Sequence, residues 1–463
     1  MTDYVELHCH SNYSMLDGAS HPEDLVAQAR ALGMEALAIT DHDGLYGAVR
    51  FWQAALQEGI RPIIGSEVTL EGGFHLTLLA RDRQGYANLC RLISAAQLSH
   101  AKHQAALSIA TLSEHPAGLI CLSGCRRGEI ARHLLSGNRR RAQRVAESYL
   151  RIFGAESLWI ELQHHLLPED DWLCDEMSDL AARLGVGCVA TNDVHYATRE
   201  GHQLQDILVC IGNRTPLDAA GSLLRPNSEY HLKSGQQMAT LFRRYPGAVA
   251  NSLVVAKQCQ VDLNFNGYRF PGFKVPDGET AFSYLHQLCH HGARDRYRPI
   301  TPAVSKQLAH ELEVIQKTGL AEYLLIVWDI MRYARENGIP GQGRGSAADS
   351  IVAYVLGITK VDPIRHNLLF ERFLSEEMTG MPDIDIDFST NHREQVIQYV
   401  YEKYGQEYTG MVCNVVTYRS RNALREVGKA MGMPLDLLGR FAKAINRWDP
   451  SKLEGELAVL APE

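Results

Sequence analysis

The residues best suited to chemistry begin at the amino terminus, where two histidines flank a cysteine. His8 and His10 follow a short apolar run. In extended backbone, residues two apart face the same side, so this pair can bind one ion. The same spacing recurs at Asp193 and His195, again after an apolar run. Imidazole and carboxylate groups paired in this way indicate a transition-metal site.

Further ligand-competent side chains lie at or just beyond the ends of successive predicted strands: Asp17, His42, Glu67, His75 and Cys125. Nitrogen and oxygen ligands with one thiolate suit Zn, Mn or Fe, and two or three clustered ions could activate water and bind a phosphoryl oxygen. One such residue alone is more often a surface or capping group, whereas nine at successive strand ends predict a metal site. Other histidines lack this placement and are expected at the surface: His164, His165, His290 and His291.

A glycine-rich turn, Gly341-Gln342-Gly343-Arg344-Gly345-Ser346, precedes a predicted helical run at Ala347–Leu356. Glycine lets the backbone approach a ligand closely, and a helix amino terminus offers unpaired N–H groups to a phosphate. Ser346 adds a hydroxyl group and Arg344 adds a fixed positive charge. The turn therefore predicts a phosphate-binding site, and a plain capped turn is the alternative.

An aspartate-rich strand is predicted at Pro382–Phe388. In extended backbone Asp383, Asp385 and Asp387 share one face, and the apolar residues between them share the other. Three like charges on one face repel one another, so a cation is expected there. Two Mg2+ ions held by paired carboxylates would serve the attack of a hydroxyl group on a nucleoside triphosphate. The alternatives are a solvated edge strand and a Ca2+ site.

Short apolar runs alternate with amphipathic stretches such as Pro22–Leu32 and Gly47–Gly59 over roughly the first 200 residues, which is typical of a parallel α/β barrel. The carboxyl ends of barrel strands converge at one mouth, which would gather the predicted ligands. The predicted strands are Tyr4–Leu7, Ala36–Ile39, Pro62–Ile64, His75–Leu79, Gly118–Leu122, Leu158–Leu162 and Gly187–Ala190.

Helical patterns dominate the second half of the chain, after a connector rich in Gly, Pro and aromatic residues at Asn264–Gly278. The last of these patterns is basic. The predicted helices are Thr301–Gly319, Glu322–Asn337, Arg393–Tyr404 and Arg419–Met431.

The composition is that of a large globular protein. The 463 residues are 45% hydrophobic and 22% charged, which predicts two or three domains and argues against disorder. A net charge of −8 counts weakly against a nucleic-acid partner, since a basic surface can be local. The ten cysteines form no CxxC pair, and we find no signal peptide or membrane span. We expect a reduced, cytoplasmic protein without membrane contact.

The motifs His8-Cys9-His10-Ser11, Thr40-Asp41-His42 and Asn192-Asp193-Val194-His195 resemble those of the PHP (polymerase and histidinol phosphatase) family. The resemblance implies an α/β fold with a (β/α)7 barrel and up to three metal ions, for which we expect Zn2+ or Mn2+. A full ligand set implies that metal binding is retained, and does not by itself imply hydrolysis. The family's ligand pattern maps onto His8, His10, Asp17, His42, Glu67, His75, Cys125, Asp193 and His195.

The glycine-rich turn and the aspartate strand together resemble the palm of bacterial DNA polymerase III alpha-type (C-family) enzymes, an α+β domain similar to that of polymerase beta-like nucleotidyltransferases. The resemblance implies that Asp383 and Asp385 are catalytic and hold Mg2+, with Asp387 in support. Asp349 departs from the family pattern, and its charge would oppose a phosphate nearby. The implied phosphate contacts are Arg344, Gly345, Ser346 and Arg372.

The resemblance extends over nearly the whole chain. The runs Glu6–Ser14, Leu16–Pro22 and Tyr418–Arg421 look more like the error-prone, damage-tolerant branch of the family than the replicative one. The basic helix after Arg419 would grip duplex backbone. The implied domains are a PHP domain at 1–262, a partial palm at 263–415 and the start of a helical thumb at 416–463.

The implied function is DNA-directed DNA synthesis of the error-prone, translesion type, in replication or in repair after DNA damage. Implied partners are primer–template DNA and dNTPs, with other replication or mutasome proteins and the sliding clamp contacted through regions beyond this chain. The family's third catalytic aspartate would also lie beyond position 463. Two alternatives stay open: phosphoesterase or 3′–5′ exonuclease activity of the PHP domain, and a non-catalytic scaffold stabilised by metal ions.

Overall fold

A computed structural model of the protein describes residues 3–102, 104–265, 270–375 and 382–444. The chain forms two compact units, one of Met1–Phe265 with Val416–Glu463 and one of Asn266–Val415. Parts of the predicted connector and of the predicted thumb, residues 266–269 and 445–463, lie outside the described residues. In the part of the chain that is described, no helix is both long enough and apolar enough to cross a membrane.

A six-stranded sheet forms the centre of the first unit, with its strands hydrogen-bonded in chain order. Tyr4–Leu7, predicted as the first strand, forms isolated bridges instead of a regular strand. The Glu6 carbonyl accepts from Ala38 N at 2.9 Å, and His10 N donates to Val194 O at 2.7 Å. The segment thus joins both edges of the sheet, and the predicted α/β barrel is confirmed. The six strands are β1 Ala36–Ile39, β2 Arg61–Leu70, β3 Phe74–Ala80, β4 Leu119–Leu122, β5 Leu158–Gln163 and β6 Gly187–Thr191.

The third strand runs against its neighbours, so the prediction of a purely parallel barrel is wrong. β3 is antiparallel to both β2 and β4. A tight turn joins β2 to β3, with Gly72 and Gly73 at φ +92° and +75°, a backbone region that favours glycine. Because β3 is reversed, its first residues lie where the parallel strands end. This places His75 at the same mouth as the other predicted ligands.

Apolar side chains cover both faces of the sheet. In β1, Leu37 and Ile39 join a large apolar cluster with the surrounding helices, while Ala36 and Ala38 join a smaller cluster on the other face. Both faces are therefore buried, as in a barrel. The helices of this unit are α1 Pro22–Ala31, α2 Ala48–Gln57, α3 Arg83–Leu98, α4 Ile109–Glu114, α5 Glu129–Leu135, α6 Arg139–Phe153, α7 Asp170–Leu184, α8 His202–Asn213, α9 Leu217–Ala220, α10 Gly235–Leu241 and α11 Pro246–Gln258, with α17 Ser420–Ala430 and α18 Leu435–Ala444.

The second unit is mainly helical, and its described residues contain one two-stranded antiparallel sheet. Its apolar core is supplemented by a buried carboxylate, Asp329, which accepts hydrogen bonds from Tyr399 at 2.8 Å and Lys403 at 2.6 Å. The elements are α12 Ala281–Arg296, α13 Pro302–Thr318, α14 Ala321–Glu336, β7 Gly341–Arg344, α15 Ile351–Val355, β8 Asp385–Phe388 and α16 Arg393–Tyr404.

The helix expected at Ala347–Leu356 begins later than predicted. Gly345–Asp349 forms a 3-10 turn, and α15 follows. The cause is Glu311 on α13, a fully buried carboxylate. It accepts hydrogen bonds from the Ile351 and Val352 amides at 3.0 and 3.1 Å. These amides are therefore bonded within the protein, so the amino terminus of α15 does not offer them to a phosphate.

Candidate metal centre and candidate nucleotide site

The structure brings all nine predicted metal ligands to one mouth of the barrel. Glu67 lies at the centre of the group. Its Oε2 atom is 2.8 Å from Nδ1 of both His42 and His75, and its Oε1 atom is 3.3 Å from Nε2 of His8. Three groups each hold ligand atoms within 4.8 Å of one another: His10, His42 and His195; His8, His10 and Asp193; and His42, Glu67 and His75.

The last two ligands lie beside these groups. The Oδ2 atom of Asp17 is 3.1 Å from Nε2 of both His42 and His195. The buried Cys125 thiol is 3.6 Å from Nδ1 of His75. Burial, and then the charge of Glu67, raise the pKa of Cys125 well above its usual value, so the thiol is protonated unless a cation binds it.

A second layer of polar groups holds the imidazole rings in place. Nδ1 of His8 is 2.7 Å from Oε1 of Glu161, and Nδ1 of His10 is 3.0 Å from the Ser14 hydroxyl. Ser14 in turn donates to the buried Asp41 at 2.8 Å. A carboxylate at Nδ1 favours the tautomer with the proton there, so the lone pair of Nε2 points into the centre. This arrangement is typical of metal-binding histidines.

Four inward-facing atoms are buried and have no hydrogen-bond partner among the described residues: Nε2 of His8, Nε2 of His10, Oε1 of Glu67 and Oδ1 of Asp193. Leaving one buried polar atom unpaired costs about 1–3 kcal/mol. Four such atoms in one cluster suit the binding of cations. The residues present fit a metal centre.

The charge states of these groups suit cations. Burial would raise the pKa of Glu67, but His75, His8 and His42 lower it well below its usual value, so it is ionised. Burial, followed by the charges of His42 and His195, lowers the pKa of His10, which is therefore neutral. Burial opposes the charged form of His8, but Glu161 and Glu67 raise its pKa, so a cation binding there would displace a proton.

Sequence reasoning missed several groups around this centre. Glu161 could have been found, because it is the charged residue of the mostly apolar strand β5. Arg225 and Tyr230 lie in a loop without any strand-end motif, so no local pattern marks them. The prediction of His165 as a surface residue is wrong: it is buried, stacks on Tyr230 with ring centroids 3.9 Å apart, and lines the mouth. His290 and His291 are exposed, as predicted.

The aspartate strand pairs with the glycine-rich strand in the second unit. β7 is antiparallel to β8, and Arg344 lies opposite Asp385. Asp383, Asp385 and Asp387 are exposed, whereas the apolar side chains between them pack on the core of the unit. The predicted division of the two faces is therefore observed. The three carboxylates are open to a ligand from outside.

The two arginines predicted to contact phosphate already have carboxylate partners. Nε of Arg344 is 3.2 Å from Oδ1 of Asp387, and Nε of Arg372 is 3.8 Å from Oδ2 of Asp349. Arg372 thereby offsets the negative charge that departs from the family pattern. Gly345, at φ +67°, makes the turn after β7, and the half-buried Ser346 follows it.

Two protein-family models match this chain. The PHP domain matches residues 6–165, and the "Bacterial DNA polymerase III alpha NTPase domain" matches residues 283–459. These matches confirm both resemblances that the motifs predicted. Among solved structures, an amidohydrolase from Chromobacterium violaceum with bound SO4 and no metal is 18% identical and covers 42% of this chain and 88% of that one. Its TM-score is 0.30.

Curated relatives match almost the whole chain. It is 44% identical over 458 residues to the "Error-prone DNA polymerase" of Symbiobacterium thermophilum, and 43% identical over 459 residues to that of Mycobacterium bovis. Each alignment covers 96% of this chain and 42% of the relative. The "DNA polymerase III subunit alpha" of Treponema pallidum is 40% identical over 448 residues, 93% of this chain and 38% of that protein. The chain thus spans less than half the length of these relatives.

Proposed function

We propose that this chain, which carries a PHP domain followed by a bacterial DNA polymerase III alpha domain, functions in error-prone, DNA-directed DNA synthesis. The whole protein would transfer nucleotides from dNTPs to a primer paired with a template, during replication or repair of damaged DNA. The observation that supports this best is the 43–44% identity with error-prone DNA polymerases over 96% of the chain. The pairing of the glycine-rich strand with the aspartate strand is consistent with it.

At the nucleotide site we propose that Asp383 and Asp385 hold Mg2+ through their exposed carboxylates. Bound Mg2+ would bring the primer hydroxyl and the triphosphate together and offset the charge of the phosphates. Arg344, Gly345, Ser346 and Arg372 would contact the triphosphate. An incoming triphosphate would compete for Arg344 with Asp387, an exposed and therefore weak partner.

We assign the PHP domain to residues 1–262, the palm to 263–415 and the start of the thumb to 416–463. In α17, Arg421, Arg425 and Lys429 are spaced by four residues, which suits contact with the phosphates of primer–template DNA. Replication or mutasome proteins and the sliding clamp would be further partners of the whole protein. We propose a cytoplasmic location, where such a protein meets DNA.

We further propose metal-dependent phosphoester hydrolysis at the PHP centre, as a phosphoesterase or 3′–5′ exonuclease. The four buried, unpartnered atoms favour this candidate, because they indicate a centre built to hold cations. The nine predicted residues would hold up to three Zn2+ or Mn2+ ions: His8, His10, Asp17, His42, Glu67, His75, Cys125, Asp193 and His195. Such ions activate water and bind phosphoryl oxygens when present.

The protein's own side chains would supply the remaining functions of this centre. Glu161 and Ser14 hold the rings of His8 and His10 in fixed orientations. The exposed Arg127 lies at the mouth and would attract an anionic phosphoester. Burial of Glu67 keeps its carboxylate out of bulk water, which strengthens its attraction for a cation.

One assay tests both candidates: purified protein with Mn2+ and a labelled primer–template, with and without dNTPs. Extension that Asp385→Asn abolishes supports synthesis. Shortening of the primer that His10→Ala abolishes, and Asp385→Asn does not, supports hydrolysis. Neither activity, together with a metal-dependent rise in melting temperature, contradicts both candidates for this chain and leaves the metal ions a structural role.

A further inference from the structure

Arg225 reaches into the metal centre and contacts two of the predicted ligands. Its Nη1 atom is 3.1 Å from Oδ1 of Asp17, and its Nη2 atom contacts Nε2 of His195. The guanidinium also packs on the face of Tyr230, with Cζ 5.0 Å from the ring centroid. The side chain is only 18% exposed, so this is a largely buried cation within a cluster of metal ligands.

The contact with His195 excludes a metal ion at the same atom. Nδ1 of His195 is 2.8 Å from the backbone oxygen of Asp193, a partner that holds the ring proton on Nδ1. Nε2 then has one lone pair, which either accepts a hydrogen bond from Arg225 or binds a cation. A ligand nitrogen of His195 lies within 4.8 Å of the ligand atoms of His10 and His42. Repulsion between the guanidinium and a divalent ion adds to the competition.

A cavity with several arginines adjoins the guanidinium. It has a volume of about 730 Å³ and is lined by Arg225, Tyr230, Arg126 and Arg127, together with the metal-site carboxylates Asp17, Glu67 and Asp193. Arg126 is held by Asp170, while the side chain of Arg127 is exposed and unpaired among the residues described. Nε of Arg225 is buried and also lacks a hydrogen-bond partner in the described chain. If the guanidinium of Arg225 leaves Asp17, it therefore stays beside this cavity. There its planar N–H donors could bind the oxygen atoms of a phosphoryl group.

We infer that Arg225 competes with one metal ion for Asp17 and His195, and that a phosphoryl anion relieves this competition by drawing the guanidinium into the cavity. The inference rests on the proposed metal centre. Ions bound by His8, Glu67 and the groups around them do not compete with Arg225. They therefore bind more tightly than the ion held by Asp17 and His195, which does compete with it. By linkage, phosphate tightens binding of that last ion, and the ion tightens binding of phosphate by the same factor.

The test is calorimetric titration of chelator-stripped protein with Mn2+, with and without inorganic phosphate, and with a count of bound ions per chain. Wild-type protein is expected to bind Mn2+ in a tight and a weak class. Arg225→Gln should tighten the weak class by about 10-fold, the usual range of coupling between sites. Phosphate should tighten that class in wild-type protein and have no such effect in Arg225→Gln.

Arg127→Gln is the matched control, because it removes one positive charge from the same cavity without touching a predicted ligand. An equal gain in Mn2+ affinity in both variants would mean that only the overall charge of the cavity matters, and would refute the proposed competition. An unchanged or lower affinity for the weakly bound Mn2+ in Arg225→Gln would also refute the proposed competition. If that variant does not fold, Arg225→Lys decides: its shorter ammonium cannot contact Asp17 and His195 together, so the weak class should again tighten. Absence of Mn2+ binding in wild-type protein would instead contradict the metal centre itself.

Discussion

The two candidate sites differ most in how far the fold alone determines them. In the metal centre the side chains of His8 and Glu67 are 0% and 1% exposed, and both His8 and His10 have a further polar partner behind them. On the aspartate strand the Asp387 side chain is 65% exposed, and its partner Arg344 is 62% exposed. Burial makes unmet polar groups costly, so the first site favours bound cations, whereas water can satisfy the second.

In the first site the protein itself supplies the close set of ligand atoms, whereas the second site needs atoms from a bound ligand as well. The three carboxylates of β8 and the segment just before it lie on one face, but among the described residues the groups of three close ligand atoms all lie in the first unit. Oxygen atoms from a nucleotide and from water would therefore help to complete any Mg2+ site on β8. The metal centre should dominate stability, and the aspartate strand should affect activity alone.

Metal removal should have the largest effect on stability, and it should destabilise the first unit. An ion present at about 1,000 times its Kd stabilises the folded state by about 4 kcal/mol, and several ions add to this. Chelation should therefore increase hydrogen exchange in peptides from β2 and β6 much more than in peptides from β8. Equal protection of all these peptides before and after chelation would refute the comparison.

Glu311→Ala should strongly destabilise the second unit. It leaves the buried amides of Ile351 and Val352 and the hydroxyl of Ser350 without their shared acceptor. The expected loss is about 3 kcal/mol of unfolding free energy, measured by urea titration. The control is Glu313→Ala on the same helix, where the 63% exposed side chain pairs with Lys317; its effect should stay below about 0.5 kcal/mol.

Glu161→Gln should weaken metal binding without removing a ligand. The amide offers His8 Nδ1 a poorer acceptor than the carboxylate at 2.7 Å, so the ring is less firmly held and less basic. We expect Mn2+ affinity to fall by about 10- to 100-fold, or about 1.4–2.7 kcal/mol. Glu156→Gln makes the same chemical change at an exposed position just before β5 and should leave affinity unchanged. An equal loss in both variants would show that net charge, not the His8 contact, sets the affinity.

Local periodicity is enough to predict the parts of each site that lie within one extended segment. The pairing of His8 with His10 and the exposed face of Asp383 and Asp385 both follow from the two-residue repeat of extended backbone. The gathering of ligands at one mouth follows from barrel geometry, and it includes His75 although β3 is reversed. An antiparallel strand that starts at the mouth delivers its first residues there, as a parallel strand delivers its last.

Contacts between residues distant in sequence are beyond such prediction. Arg225 lies more than 200 positions from Asp17, with which it pairs, and its own segment has no periodic pattern. The start of α15 is set by Glu311, which is 40 positions before Ile351. A charged residue in a helix such as α13 normally indicates a solvated face. Its burial depends on the packing of α13 against α15, which no single segment encodes.

The smallest effect on stability should come from Asp383→Asn and Asp385→Asn. Both side chains are exposed, and removing one of three neighbouring negative charges relieves repulsion, so the unfolding free energy should change by less than about 0.5 kcal/mol. The same variants should abolish any dNTP-dependent primer extension while Mn2+ binding at the metal centre is unchanged. Thermal unfolding and calorimetry measure the two properties separately. If either variant costs more than about 1 kcal/mol, β8 is a structural element of the second unit, since exposed carboxylates seldom contribute that much.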